Sequence, residues 1–182
     1  RQWTRRDATH LLWRGQFGAT AAEIAATHKA GLEAALEQLL TPQKETADFA
    51  NTESLLREAA YDTGAVGDLQ AWWLHRMHYT ANPLTEKLTL FWHNHFATSF
   101  SKVQSVPHMA AQNDRFRAEA LGSFRELLHA MAKDVAMLIW LDSNANRKRH
   151  ANENFAREVM ELFSLGEGNY PEDDIKQAAR AF

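Results

Sequence analysis

The chain has no cysteine. Disulfides, thiolate metal sites and thiol nucleophiles are therefore excluded, and the absence suits cytosol and periplasm equally. No apolar run approaches the roughly 18 residues needed to cross a bilayer, and no signal-peptide pattern is present. An excess of one charge is missing too: the formal net charge is −3, which argues against nucleic acid, because a grip on phosphates needs clustered Lys and Arg. The basic clusters are short, Arg5-Arg6 and Arg147-Lys148-Arg149, and read as solvated terminal or loop charge. Strand-like alternation of Val, Ile and Thr is scarce. No Ser-His-Asp arrangement, HEXXH motif, Gly-rich phosphate loop or EF-hand spacing is legible.

What is there is helical periodicity along most of the chain. With 182 residues, 45% of them apolar, the chain is long enough to bury a real core. The expected fold is all-α, a single multi-helix globular domain over residues 1–182. Thr20 and Glu23 form a capping box for the helix "AAEIAATHKAG", and Gly31 stops or breaks it. Residues 43–51 read as a loop, followed by a short helix around Glu53–Tyr61. Asp68 is a cap candidate for "LQAWWLHRMHYTA". Pro83 suits the first position of a helix ending at Phe96, since no amide donor is lost there. Residues 97–107 read as a loop, with helices near 108–119, 123–132 and 134–141 and an exposed loop over 142–151. Gly166 and Gly168 end the next helix, and Pro171 opens the last one. That helix stops without a cap, as expected of a chain that continues. At helical spacing, the six tryptophans read as core packing before sugar stacking.

The stretch "HANENFAREVMELFSLGEGNY", from His150 to Tyr170, concentrates the polar chemistry. Asn152 caps a helix whose core arc is Phe155, Ala156, Val159, Leu162 and Phe163. Asn154, Arg157, Glu158 and Glu161 gather on the opposite side, with Glu153 at its edge. Glu153–Arg157 and Arg157–Glu161 have helix salt-bridge spacing. Glu158 and Glu161 are three apart, so their carboxylates can converge on a hard cation or move a proton. A solvated, charge-alternating face explains the same pattern.

The second concentration is "LTEKLTLFWHNHFATS". His93 and His95 are two apart and point to opposite faces of a helix. His95 falls with Leu84, Leu88 and Phe91 on the apolar face beside Trp92, as a core histidine bonded to a carbonyl or carboxylate would. If the helix unwinds at His93, both rings can face one cavity and ligate a metal. His75 and His78 read as packing and surface, and His10 as a buried hydrogen-bonding residue.

These stretches resemble a known family. "HLLWRGQFG" (10–18), "WWLHRM" (72–77), "LTEKLTLFWHNHFATS" (84–99), "QNDRFR" (112–117), "LGSFRELL", "AMLIWLDSNAN", "NENFAREVMELFSLGEGNY" and the terminal "AARAF" together look like the bacterial DUF1800 family. It is a group of large proteins of unknown function, and the resemblance covers nearly the whole chain. His93, His95, Glu86, Asn152, Glu153, Arg157, Glu158 and Glu161 match its pattern. Val135, Ala151 and Pro171 depart from it, all at helix ends. The resemblance implies that the chain is the N-terminal part of a longer protein, that it is extracytoplasmic, and that a DUF1501-type protein is a partner.

Two functional readings follow. One is a non-catalytic assembly or partner-binding module. The other is a metal-dependent or acid–base enzyme with its site between the 84–96 and 152–164 helices. In that enzyme Glu158, Glu161 and Arg157 are the catalytic group. His93, His95, Glu158 and Glu161 hold a divalent metal, and Arg157 or Arg115 holds an anionic group. Haem held by His95 or another histidine is a third, smaller possibility.

Overall fold

The computed structural model describes residues 2–147 and 150–182. Among them the fold is all-α: helices are joined by short turns, and no strand forms beyond one isolated bridge between Arg147 and His150. No helix is long and apolar enough to cross a membrane among these residues. The chain divides into two compact units, Arg1–Leu90 and Phe91–Phe182, and the division falls inside one helix.

The first unit holds α1 (Arg5–Gly15), α2 (Ala21–Ala30), α3 (Leu32–Leu40), α4 (Ala47–Thr63), α5 (Val66–Tyr79) and the first turns of α6 (Pro83–Phe96). Helix starts follow local chemistry. Thr4 with Asp7 and Thr20 with Glu23 form reciprocal capping boxes, which satisfy amides left free in a helix's first turn. Gly31, at φ 91°, separates α2 from α3, a conformation that costs a side-chain-bearing residue. Two expectations are corrected here. The helix expected near Glu53 begins at Ala47, because Thr46 accepts the Phe49 amide and caps it. Asp68 is not the cap of α5: it lies in the first turn and accepts the Thr63 hydroxyl at 2.6 Å.

α4 and α5 pack as a pair around a buried charge. Glu86 is only 1% exposed and accepts from Arg76 Nε at 3.0 Å. Arg76 Nη1 also lies 3.0 Å from Glu53, which accepts the Trp72 indole N–H at 2.6 Å. The guanidinium sits over the Phe49 and Trp72 rings, so a planar cation is stacked as well as paired. Lys87 donates to the carbonyls of Trp13 and Gln16 and neutralises the negative end of α1. His10 is exposed, not buried as expected.

The second unit holds the end of α6, then α7 (Phe100–Val103), α8 (Val106–Ala118), α9 (Phe124–Met131), α10 (Val135–Trp140), α11 (Glu153–Glu158) and α12 (Glu172–Ala181). The loop expected over 97–107 contains α7 and the first turn of α8, each capped by a serine hydroxyl. The core gathers Phe96, Phe116, Leu127, Met131, Met137, Leu141, Phe155 and Phe163. A second cluster, Ala156, Ile175 and Ala179, joins α11 to α12. Gln112, fully buried, accepts from Thr98 and donates to Asp134, which caps α10 through the Met137 amide. Of the basic run Arg147-Lys148-Arg149, Lys148 and Arg149 lie outside the described residues.

Candidate functional site

The helix opened by Asn152 changes character at Val159. Over Val159–Ser164 it becomes π-helical, and the Leu165 amide bonds back to the Met160 carbonyl. A π turn holds more residues than an α turn, so each residue rotates the chain less. Phe163 therefore still faces the core, but Leu162, expected on the same arc, turns out and is 61% exposed. Phe155 and Ala156 are buried as the periodicity requires.

His95 meets this segment directly. Its Nε2 lies 3.1 Å from the Phe163 carbonyl. A carbonyl only accepts, so Nε2 carries the proton and has no lone pair to give a metal. The imidazole thus satisfies a helix-end carbonyl, which is the core-histidine role read from its position. The ring also packs among aromatics: it stacks on Phe91 (centroids 6.3 Å, 11°) and meets Phe124 and Phe163 at 6.1 Å each.

His93 points elsewhere. Its ring lies edge-on to Phe116, and burial lowers its pKa. The folded chain therefore binds this proton less readily than the unfolded chain. Stability is complete above the ordinary histidine pKa of about 6.5 and declines as pH falls below it. Asp134 and Glu158 act with the opposite sign, since burial raises both: their contribution is present at low pH and is lost as pH rises through the folded values. We expect the melting temperature to fall between pH 7 and 5, with a shallower fall in His93→Gln. One proton caps the slope at about 1.4 kcal/mol per pH unit. Equal slopes in thermal melts of the two chains would remove His93 from this account.

The carboxylates form a separate group on α11 and the π segment. Burial raises the Glu158 carboxyl, and the neighbouring Glu161 adds to the rise. Burial, followed by the charge of Glu161, raises the Tyr170 phenol. Arg157 does not take Glu161 as its hydrogen-bonded partner. It forks onto Glu172 at the start of α12, with one bond at 3.0 Å and a second shorter one, and reaches Glu153 at 3.4 Å. These bonds hold the Glu172 carboxyl below, and the Arg157 guanidinium above, their ordinary values. A bidentate pair of this kind ties helix to helix. Arg115 is exposed on α8, beside a shallow hollow that also includes Glu119 and His129.

The site residues thus fall into three places: His95 on the Phe163 carbonyl, His93 against Phe116, and Arg157 with the carboxylates along the α11–α12 contact. Among the described residues no group of three or more His, Asp or Glu is arranged to hold a metal ion. Three features of the structure are not legible in the sequence. Arg76 and Glu86 are ten apart across the α5–α6 turn, and only Pro83 signalled that the chain doubles back there. Glu172 was visible as a first-turn acid but not as the partner of Arg157. The third is an exposed aromatic face: Phe91 is 53% exposed, Trp92 stacks on Phe124 at 5.8 Å, and Phe124 and Leu121 are exposed too. The Trp92 indole N–H donates to the Ala120 carbonyl, which brings Leu121 beside this face.

An all-α chain with these paired motifs matches a family model described as "Protein of unknown function (DUF1800)" over residues 10–182. The chain belongs to the DUF1800 family. No curated protein and no solved structure matches it.

Proposed function

We propose that this chain is a non-catalytic, partner-binding module of an exported bacterial protein, and that a DUF1501-type protein docks on the aromatic face of its second unit. The observation that carries the reading is that face. Phe91 and Phe124 expose large apolar side chains against Trp92 and His95. Contiguous apolar surface of this kind is a recurrent mark of protein interaction sites, and rigid aromatics suit binding hot spots. The polar residues support the same reading, because His95 and Arg157 are engaged in tying helices together. Export and the choice of partner rest on the family resemblance.

The enzymatic alternative draws on one observation, the raised Glu158 carboxyl beside Glu161 and Tyr170, since displaced carboxyls collect at acid–base sites. Hydrogen exchange on the chain with and without a purified DUF1501-type protein separates the two. The binding reading expects new protection over residues 91–95 and 120–124. Protection confined to other segments, or none at saturating partner, contradicts it.

A further inference from the structure

His95 uses one ring nitrogen inside the fold and keeps the other. Nε2 donates to the Phe163 carbonyl at 3.1 Å, which leaves Nδ1 of the neutral imidazole as an acceptor. Among the described residues Nδ1 takes no hydrogen bond, and it is not sealed from solvent. The neighbours show on which side it opens. Five aromatic rings lie around the imidazole. Phe96 and Phe163 are buried, whereas Phe91 and Phe124 are exposed. The lone pair is therefore reached from the Phe91–Phe124 side, within the aromatic face.

The other polar ring atom of that face, the Trp92 indole nitrogen, already donates to the Ala120 carbonyl. The face thus presents apolar ring surface with one acceptor set into it. A purely apolar side chain docked there would strip water from Nδ1 and leave it unbonded, which costs binding energy. The complement is a flat apolar body with one N–H at its edge. A tryptophan indole fits, being aromatic and donor-only. A phenol hydroxyl would bring lone pairs that the surrounding rings cannot satisfy.

We infer that the aromatic face captures a tryptophan side chain of the docking partner, walled by the Phe91 and Phe124 rings, with the indole N–H donating to His95 Nδ1. The inference rests on this face being the docking surface and adds the chemistry of the anchor.

NMR titration of the 182-residue chain, with ¹⁵N-labelled histidines and at about pH 8, where free imidazole is neutral, tests it with indole and 1-methylindole as probes. Indole should bind saturably and move the His95 Nδ1 resonance. 1-Methylindole, which has no N–H, should bind about tenfold or more weakly and leave that resonance in place. In His95→Gln, whose amide can still donate to the Phe163 carbonyl, the two probes should bind alike, which separates the lost bond from the bulk of the methyl group. The Nδ1 signal reads the hydrogen bond in the wild type, so the test stands if the variant fails to fold. No saturable indole binding, equal binding of both probes by wild type, or discrimination that persists in His95→Gln overturns the assignment. Protection of residues 91–95 and 120–124 by a DUF1501-type protein, with probes that do not discriminate, removes the tryptophan anchor alone. Discriminating probes without that protection remove the choice of partner alone.

Discussion

Arg76→Ala should destabilise the first unit by about 3–5 kcal/mol, the usual result of removing one partner from a buried ion pair. Glu86 is 1% exposed and receives the guanidinium at 3.0 Å. Without Arg76 its carboxylate keeps the desolvation cost and loses its counter-charge. The substitution also removes the cation stacked on Phe49 and Trp72. Arg76→Lys should recover little, because an ammonium cannot fork to Glu53 and Glu86 and stack at once. Arg76→Met/Glu86→Leu should recover much of the loss, since apolar groups of similar volume often replace a buried pair at no cost. Urea unfolding of the four chains checks this. A single variant within about 0.5 kcal/mol of wild type would show that solvent already screens the pair.

Phe96→Ala should cost about 3–5 kcal/mol in the second unit, the range for emptying a buried aromatic site. Phe96 is fully buried at the end of α6, stacked on Phe116 at 5.8 Å and against Phe163 at 5.1 Å. It braces the π segment from behind, while the neighbouring His95 holds the Phe163 carbonyl. The cavity should therefore loosen the 159–164 turn as well as lower stability. Phe96→Leu, which keeps much of the volume, should cost less. Thermal unfolding gives the stability, and amide exchange at Leu165, whose N–H closes the π turn on Met160, gives the local effect. Unchanged exchange there with full destabilisation would separate the core from the turn.

Much of the fold was legible because its punctuation is local. Thr20 with Glu23, Gly31, Pro83, Asn152 and the glycines after Ser164 act through their own backbone or a neighbour three residues away. The start of α4 was not legible: "ETADFAN" is polar and carries no apolar stripe, and a single threonine cap decides it. The π turn was hidden because the apolar spacing of Val159, Leu162 and Phe163 suits an α-helix, and only the bonding pattern moves Leu162 outward. Of the candidate site, the separate fates of His93 and His95 followed from the helical angle between them. The partners did not, since Phe163 lies 68 residues from His95 and Glu172 belongs to another helix than Arg157. The aromatic face was hardest to see. Periodicity identifies an apolar side of α6 without saying whether the chain covers it.

One binding titration with a DUF1501-type protein, run on three chains, tests most directly whether the aromatic face or the His–Glu group carries the function. The chains are wild type, Phe91→Ser/Phe124→Ser, and His93→Gln/Glu158→Gln. The account predicts wild-type affinity in the His–Glu variant and a loss of at least about 30-fold in the face variant, from two anchors each worth 1 kcal/mol or more. Equal binding by wild type and the face variant, with the loss in the His93→Gln/Glu158→Gln variant instead, would contradict it and place the function on His93 or Glu158.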